Sequence, residues 1–211
     1  MADQSTARSV KIDADERGAW SSDRPRTDRP PRPVDISTRC RMLQPSDRMR
    51  YSPGSLVVLV CPSVPLRERF AERVFEDRSA VMSMSKVRKL IAGRVPADEL
   101  EDRAWDLLQN AIGRRLEAGD AVVLVTESMD PLEREPVLHA AAKLKRPRHL
   151  LLVEPGRDAV EEDDLPALNE LRRQVEAGEV GNEGFQTALR VSGKAVGDLK
   201  RIVFRSAPRE D

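Results

Sequence analysis

Gly54-Ser-Leu-Val-Val-Leu-Val-Cys-Pro-Ser-Val-Pro-Leu-Arg-Glu-Arg-Phe70 decides how the rest of the chain is read. Leu56 to Val60 is an unbroken apolar run, closed by Pro53-Gly54 before it and Pro62 after it. A short run of this kind suits a strand buried on both faces of a parallel sheet. From Leu66 the chain turns charged, with Phe70, Val74 and Phe75 spaced for one helical face. The stretch is therefore strand, tight turn, helix. Working outward, the same alternation repeats. Strands are expected at 80–82, 121–125, 149–153, 185–191 and 202–204. Helices are expected at 86–92, 97–118, 131–144, 165–177 and 194–199. Pro96 and Pro131 open two of these helices, and Gly93 and Gly119 close two. Strands alternating with helices predict an α/β fold, a three-layer α/β/α arrangement around a mostly parallel sheet.

The flanks differ in composition. Residues 1–50 are rich in Arg, Asp, Ser and Pro, and Asp23-Arg-Pro-Arg-Thr-Asp-Arg-Pro-Pro-Arg-Pro33 alternates charge with proline. Such a run buries too little apolar surface to offset its ordering entropy. It is read as a disordered tail, either an inert solubilising extension or a docking arm for a protein partner, with Trp20 and the Arg-Pro run as its contacts. The folded domain is expected over 51–205, with 206–211 a short C-terminal tail. Lys+Arg and Asp+Glu are equal at 36 each, so no net field draws the chain to nucleic acid or to an anionic membrane. The start carries no apolar leader, and no apolar run is long enough to span a bilayer. Cys40 and Cys61 read as free thiols. A soluble cytoplasmic protein is the expectation.

The turn after the first strand occupies the place where nucleotide-using enzymes carry a P-loop, G-x-x-x-x-G-K-[ST], whose backbone N–H groups cradle phosphates. Aligned on the strand end, Cys61 stands for the first glycine, Pro62, Ser63, Val64 and Pro65 for the spacer, and Leu66 for the second glycine. Arg67 takes the lysine position and Glu68 the Mg²⁺-binding hydroxyl position. Cys and Leu resist the positive φ that glycine accepts, and Pro65 has no N–H to offer. Glu68 sets a negative charge beside the phosphate path. One such pair at about 4 Å is worth roughly 4 kcal/mol at an effective dielectric of about 20.

The order and spacing of several pieces over 53–204 resemble the polynucleotide-kinase-like P-loop phosphotransferases. Pro53 to Val60 looks like the family's first strand, and Pro62-Ser63 match the inside of its G-P-S-G-S-G-K-S loop. Val81-Met-Ser-Met-Ser-Lys-Val-Arg-Lys-Leu-Ile-Ala-Gly93 is similar to the segment S-S-D-x-x-R, a short helix and Gly. Arg115 to Val125 resembles the approach to a D-A-T-N strand end, and the helix from Pro131 places Arg134 at a family arginine. Leu171-Arg-Arg-Gln174 and Asn182-Glu-Gly-Phe185 look like the closing helix and an E-G-F motif. The resemblance implies an ATP- and Mg²⁺-dependent phosphotransferase fold, with Arg88 and Arg134 lining an acceptor or anion groove, a role that surface salt bridges for the same two residues rival.

The departures fall on the chemistry. Ser85 stands where the resemblance implies an acceptor-side carboxylate, and an unassisted serine is a poor proton acceptor. The D-A-T-N turn reads Val125-Thr-Glu-Ser128, so a valine replaces the strand-end Asp. Glu127 reads as a relocated metal ligand or base, or as a solvated or capping side chain. The lid region, 156–164, is acidic and carries only Arg157 where the family clamps phosphate with arginines. His139, His149 and the basic cluster Lys143, Lys145, Arg146 and Arg148 read as structural or solvated, without metal-ligand spacing or an aromatic platform. Phosphoryl transfer rests on positioning and cationic stabilisation, and most contributors are gone. The preferred reading is a catalytically inactive protein on a P-loop kinase-like scaffold, working by binding or regulation, with no cofactor and no metal expected. The alternatives are an ATP- and Mg²⁺-dependent polynucleotide or small-molecule kinase with an unconventional P-loop, and a non-catalytic nucleic-acid-binding module.

Overall fold

A computed structural model describes residues 38–205, Arg48 and the side chain of Arg157 excepted. Trp20, the Arg-Pro run of 23–33 and the terminal 206–211 lie outside the described residues. Eight strands and six α-helices follow one another through the described chain. The opening stretch forms β3 (Leu56–Val60) and α1 (Val64–Val74). Next come β4 (Val81–Ser83), α2 (Met84–Ile91), α3 (Leu100–Ala118), β5 (Val122–Val125), α4 (Pro131–Lys143) and β6 (Arg148–Glu154). The chain closes with α5 (Leu165–Ala177), β7 (Thr187–Ser192), α6 (Lys194–Asp198) and β8 (Ile202–Phe204).

Two strands lie where the sequence was read as tail. β1 (Arg39–Met42) pairs in parallel with β7, and β2 (Met49–Tyr51) pairs in parallel with β8. The folded part thus begins before residue 51. The sequence hides β1 because all four of its residues are exposed, so no apolar pattern marks it. β8 was expected in the main sheet, yet it builds a separate two-stranded ribbon with β2. Stacked rings hold that ribbon down: Phe204 lies 6.0 Å from Tyr51 and 5.9 Å from Phe75, centroid to centroid.

The main sheet has six strands in the order β1-β7-β6-β3-β5-β4, and every pair is parallel. Its two faces separate by residue parity, as the strand pleat requires. Leu56, Val58, Val60, Leu124, Leu150 and Leu152 pack beneath α2, α3, α4 and α5. Val57, Leu59, Val123, Val125, Leu151 and Val153 pack against α1 and α6. The result is the expected three-layer arrangement, and all five residues of β3 are fully buried at its centre. The chain leaves β3 toward β4 and leaves β6, its neighbour, toward β7. Connections diverging from adjacent parallel strands open a crevice beyond their carboxyl ends. That geometry puts the β3–α1 turn at the mouth of the crevice.

Gly54, just ahead of β3, adopts φ 71°. A Cβ there would stand 2.9 Å from the Gly119 carbonyl oxygen and 3.3 Å from Arg146 Nη1. Arg146 is itself fixed, since its Nε donates to the Leu116 carbonyl at the end of α3 (2.8 Å), a cation on helix-terminal carbonyls. Gly54→Ala is expected to cost about 2 kcal/mol through left-handed strain and this contact, read as a lower urea midpoint at unchanged m-value.

Candidate functional site

Only Cys61, Pro62 and Ser63 separate β3 from α1. The helix starts at Val64, two residues before the charged run suggested. A P-loop completes its glycine-rich motif before the helix begins, whereas here the helix takes over at the motif's fourth position. The N–H groups of Leu66 and Arg67 both donate to the Ser63 carbonyl, at 3.1 and 3.0 Å. Pro62 and Pro65 have no N–H. No residue of 61–68 has positive φ, so the backbone does not form the alternating-handed nest that wraps an anion. The Cys61 thiol is buried, which pushes its pKa up to about 11 against the backbone of Ser63 and the charge of Arg67. It is a protonated packing group at neutral pH.

The two charged residues of the motif turn away from the turn. Arg67 is 6% exposed and donates through Nη1 to the Glu127 carbonyl, tying α1 to the exit of β5. Glu68 reaches the start of α2, where Ser83 Oγ donates to it at 2.9 Å and Ser85 Oγ donates to the same oxygen. Burial pushes the Glu68 carboxyl up, but those hydroxyls, with Lys89 and Lys86, outweigh it and hold it below the usual range. A carboxylate therefore does stand beside Ser85, carried by α1 rather than by α2. Ser83 also caps α2, accepting from the Lys86 N–H at 3.3 Å.

Arg88 is clasped by two carboxylates. Its Nη1 and Nη2 donate to the two oxygens of Glu127, each at 2.6 Å, and its Nε and Nη2 donate to Glu101 of α3 at 2.7 Å. These bonds, Glu127 first and Glu101 second, push the guanidinium pKa further up. Val125 is buried at the end of β5. Thr126 Oγ1 lies within reach of the Leu59 and Ser128 carbonyls, at 3.2 and 2.9 Å. Glu133 closes this turn, its carboxylate accepting from the N–H groups of Glu127 (2.6 Å) and Ser128 (2.8 Å) and from Ser128 Oγ.

Arg134 is fully buried. Its Nε and Nη2 donate to Glu183 at 2.7 and 3.0 Å, and Nη1 donates to the Met129 carbonyl at 2.9 Å. Arg88 and Arg134 are thus each matched by carboxylates rather than brought together around one anion seat. Sequence reasoning missed the partners Glu101, Glu133 and Glu183. Glu183 stands within the E-G-F motif with no partner assigned to it, and Glu133 leaves a trace as the last residue of Asp130-Pro-Leu-Glu133, a capping-box spacing. Asp130 does cap α4, accepting from the Leu132 N–H at 2.9 Å, but Glu133 reaches further back than a capping box does.

Two hollows open at this edge of the sheet. One, of about 370 Å³, lies between α1 and α2 and is lined by Arg67, Glu68, Ser85, Lys89 and Glu127 among others. The other, of about 420 Å³, is floored by Cys61 and Pro62, with the 127–131 turn on one side and a face of α5 on the other. Among the described residues no three His, Cys, Asp or Glu side chains are grouped to hold a metal ion. No helix among them is long and apolar enough to cross a membrane.

No family model matches the chain, and no curated protein matches it significantly. Among solved structures it is similar to the Deinococcus radiodurans tunicamycin resistance protein, with 17% identity over 64% of this chain and 85% of that one, at a TM-score of 0.33. The α/β assignment rests on the six-stranded parallel sheet itself.

Proposed function

We propose that this chain is a catalytically inactive relative of P-loop kinases that works by binding, with a protein partner as its target. One observation carries the reading: several groups that a triphosphate would need are already bound within the fold. The N–H groups of Leu66 and Arg67 close the first turn of α1, and the Arg67 guanidinium sits on the Glu127 carbonyl. The Ser85 hydroxyl donates to Glu68, so it is not a base for an incoming alcohol. On this reading ATP finds no nest of N–H groups at the turn, and Glu68 stands where the motif places its Mg²⁺-binding hydroxyl.

The test is a thermal melt of the full chain with Mg-ATP at about 100 times the Kd of an ordinary kinase. A ligand at that excess stabilises a folded protein by about 2.7 kcal/mol. No rise in Tm and no transfer of labelled γ-phosphate are expected. A rise that Arg67→Ala abolishes would establish the kinase reading instead. The partner is sought by pull-down with the full chain against a chain begun at residue 38. Truncation at 51 would remove β1 and β2 and confuse unfolding with lost docking.

A further inference from the structure

We propose that the 420 Å³ crevice binds an organic cation, an aliphatic amine or guanidinium carried on an apolar stem. The proposal rests on the reading that this edge of the sheet does not hold a nucleoside triphosphate.

The first observation is the cavity. It lies where connections diverge from adjacent parallel strands, the place where open α/β sheets take their ligands. Its volume falls among those of small-molecule sites, about 300–1,000 Å³. Its surface is mainly apolar, with Cys61, Pro62, Met129 and Leu171 presenting the body of the wall. The second observation is the sign of its charge. Every ionised side chain in the lining is a carboxylate: Glu127, Asp130, Asp164 and Glu170. Among the described residues no lysine or arginine lines it.

The four acids are not equivalent. Glu127 is matched by Arg88. Glu170 is matched by Arg173, which with Gln174 holds its carboxyl down at about 2. Asp130 uses one oxygen on the Leu132 N–H and meets no cation among the described residues. Asp164 caps nothing with its side chain at the start of α5, and it forms no ion pair among the described residues. These last two stand on opposite walls, one at the head of α4 and one at the head of α5. A cation between them would meet two carboxylates that have no counter-charge among the described residues. The run Glu161-Glu-Asp-Asp164, whose last residue lines the wall, adds negative potential. A phosphate would meet the same potential as repulsion.

The wall also sets the ligand's shape. Asp164, Ala167, Leu171 and Gln174 share one face of α5, and ten residues of helix extend about 15 Å. An apolar stem lies along Ala167 and Leu171 while its charged head reaches the aspartates, as lysine and arginine stems do on protein surfaces.

Agmatine, with a guanidinium and an amine on a four-carbon stem, is the probe, titrated by calorimetry into the full chain at low ionic strength. Saturable binding is expected, weakening as salt rises. Asp130→Asn with Asp164→Asn keeps the shapes and removes both charges. This pair is expected to weaken binding about tenfold or more, a change in Kd worth about 1.4 kcal/mol. Ala167→Trp, which fills the cavity, is expected to abolish binding. Asp102→Asn with Asp106→Asn, on the exposed face of α3, is expected to leave it intact. Any of three results overturns the proposal: no heat of binding to agmatine, equal binding by the Asp130/Asp164 variant, or loss of binding in the α3 variant. Binding of an oligoarginine peptide without agmatine binding also overturns it. A Tm rise with Mg-ATP strikes at the proposed function. Absence of both ATP and agmatine binding removes the cation site alone.

Discussion

Arg134→Ala is expected to be the most damaging single substitution in the molecule, costing about 3–5 kcal/mol. At 2–4 °C per kcal/mol for a domain of this size, Tm falls by about 10 °C. The reason is what the substitution leaves behind. Arg134 is fully buried, and its guanidinium answers both oxygens of Glu183 and the Met129 carbonyl. Remove it, and a half-buried carboxylate and a buried carbonyl lose their partners together. Arg134→Lys fares little better, because an ammonium cannot reproduce the two parallel bonds. Urea denaturation measures the loss. The joint change Arg134→Leu with Glu183→Leu is expected to recover much of it, since it deletes both charges and leaves neither stranded. A loss below about 1 kcal/mol for Arg134→Ala would mean that Glu183 finds water or another cation.

The second large effect is a dependence of stability on pH set by His149. Burial, with the charge of Arg148 adding to it, lowers the imidazole pKa from 6.5 to about 4. Its Nδ1 lies 2.8 Å from Thr187 Oγ1, and its ring lies 4.5 Å from that of Tyr51. Because the folded pKa is the lower one, the unfolded chain takes up a proton first as pH falls. Stability is full above about pH 6.5 and drops through the window down to about pH 4, by about 3 kcal/mol at most. Most of that window lies above the ordinary carboxylate range, so it isolates the imidazole. Urea midpoints between pH 7 and pH 4.5 should fall steeply for the natural chain and stay nearly level for His149→Gln. A parallel slope in both proteins would assign the pH response to other groups.

Both effects come from residues whose surroundings the sequence conceals. The sheet was legible because its strands, buried on both faces, are written as unbroken runs such as Leu56 to Val60, and helix ends are punctuated by Gly119 and Pro131. α5 was found to the residue, 165–177. Hidden elements were those without such a signal. β1 is four exposed residues, and β2 is three residues that pair only with β8, a strand expected at 202–204 and found there but outside the main sheet. The site was harder still. Which arginine meets which glutamate depends on contacts spanning 39 to 49 positions in the chain, as between Arg88 and Glu127 or Arg134 and Glu183. No local pattern encodes those pairings. Glu68 was read from its place in the motif as a charge facing phosphate, whereas α1 turns it toward Ser83 and Ser85. The early start of α1 was likewise invisible, although Pro65 in the first helical turn was its marker.

The brevity of the link between β3 and α1 also limits what substitution alone can build there. Leu66→Gly, Arg67→Lys and Glu68→Ser would together rewrite the motif's lettering. They would rewrite it inside a helix already wound from Val64, with its amides aimed along the axis and prolines still at 62 and 65. Exchange of side chains alone therefore does not build a triphosphate cradle here. The backbone itself would have to lengthen ahead of Val64, a change that single substitutions do not make.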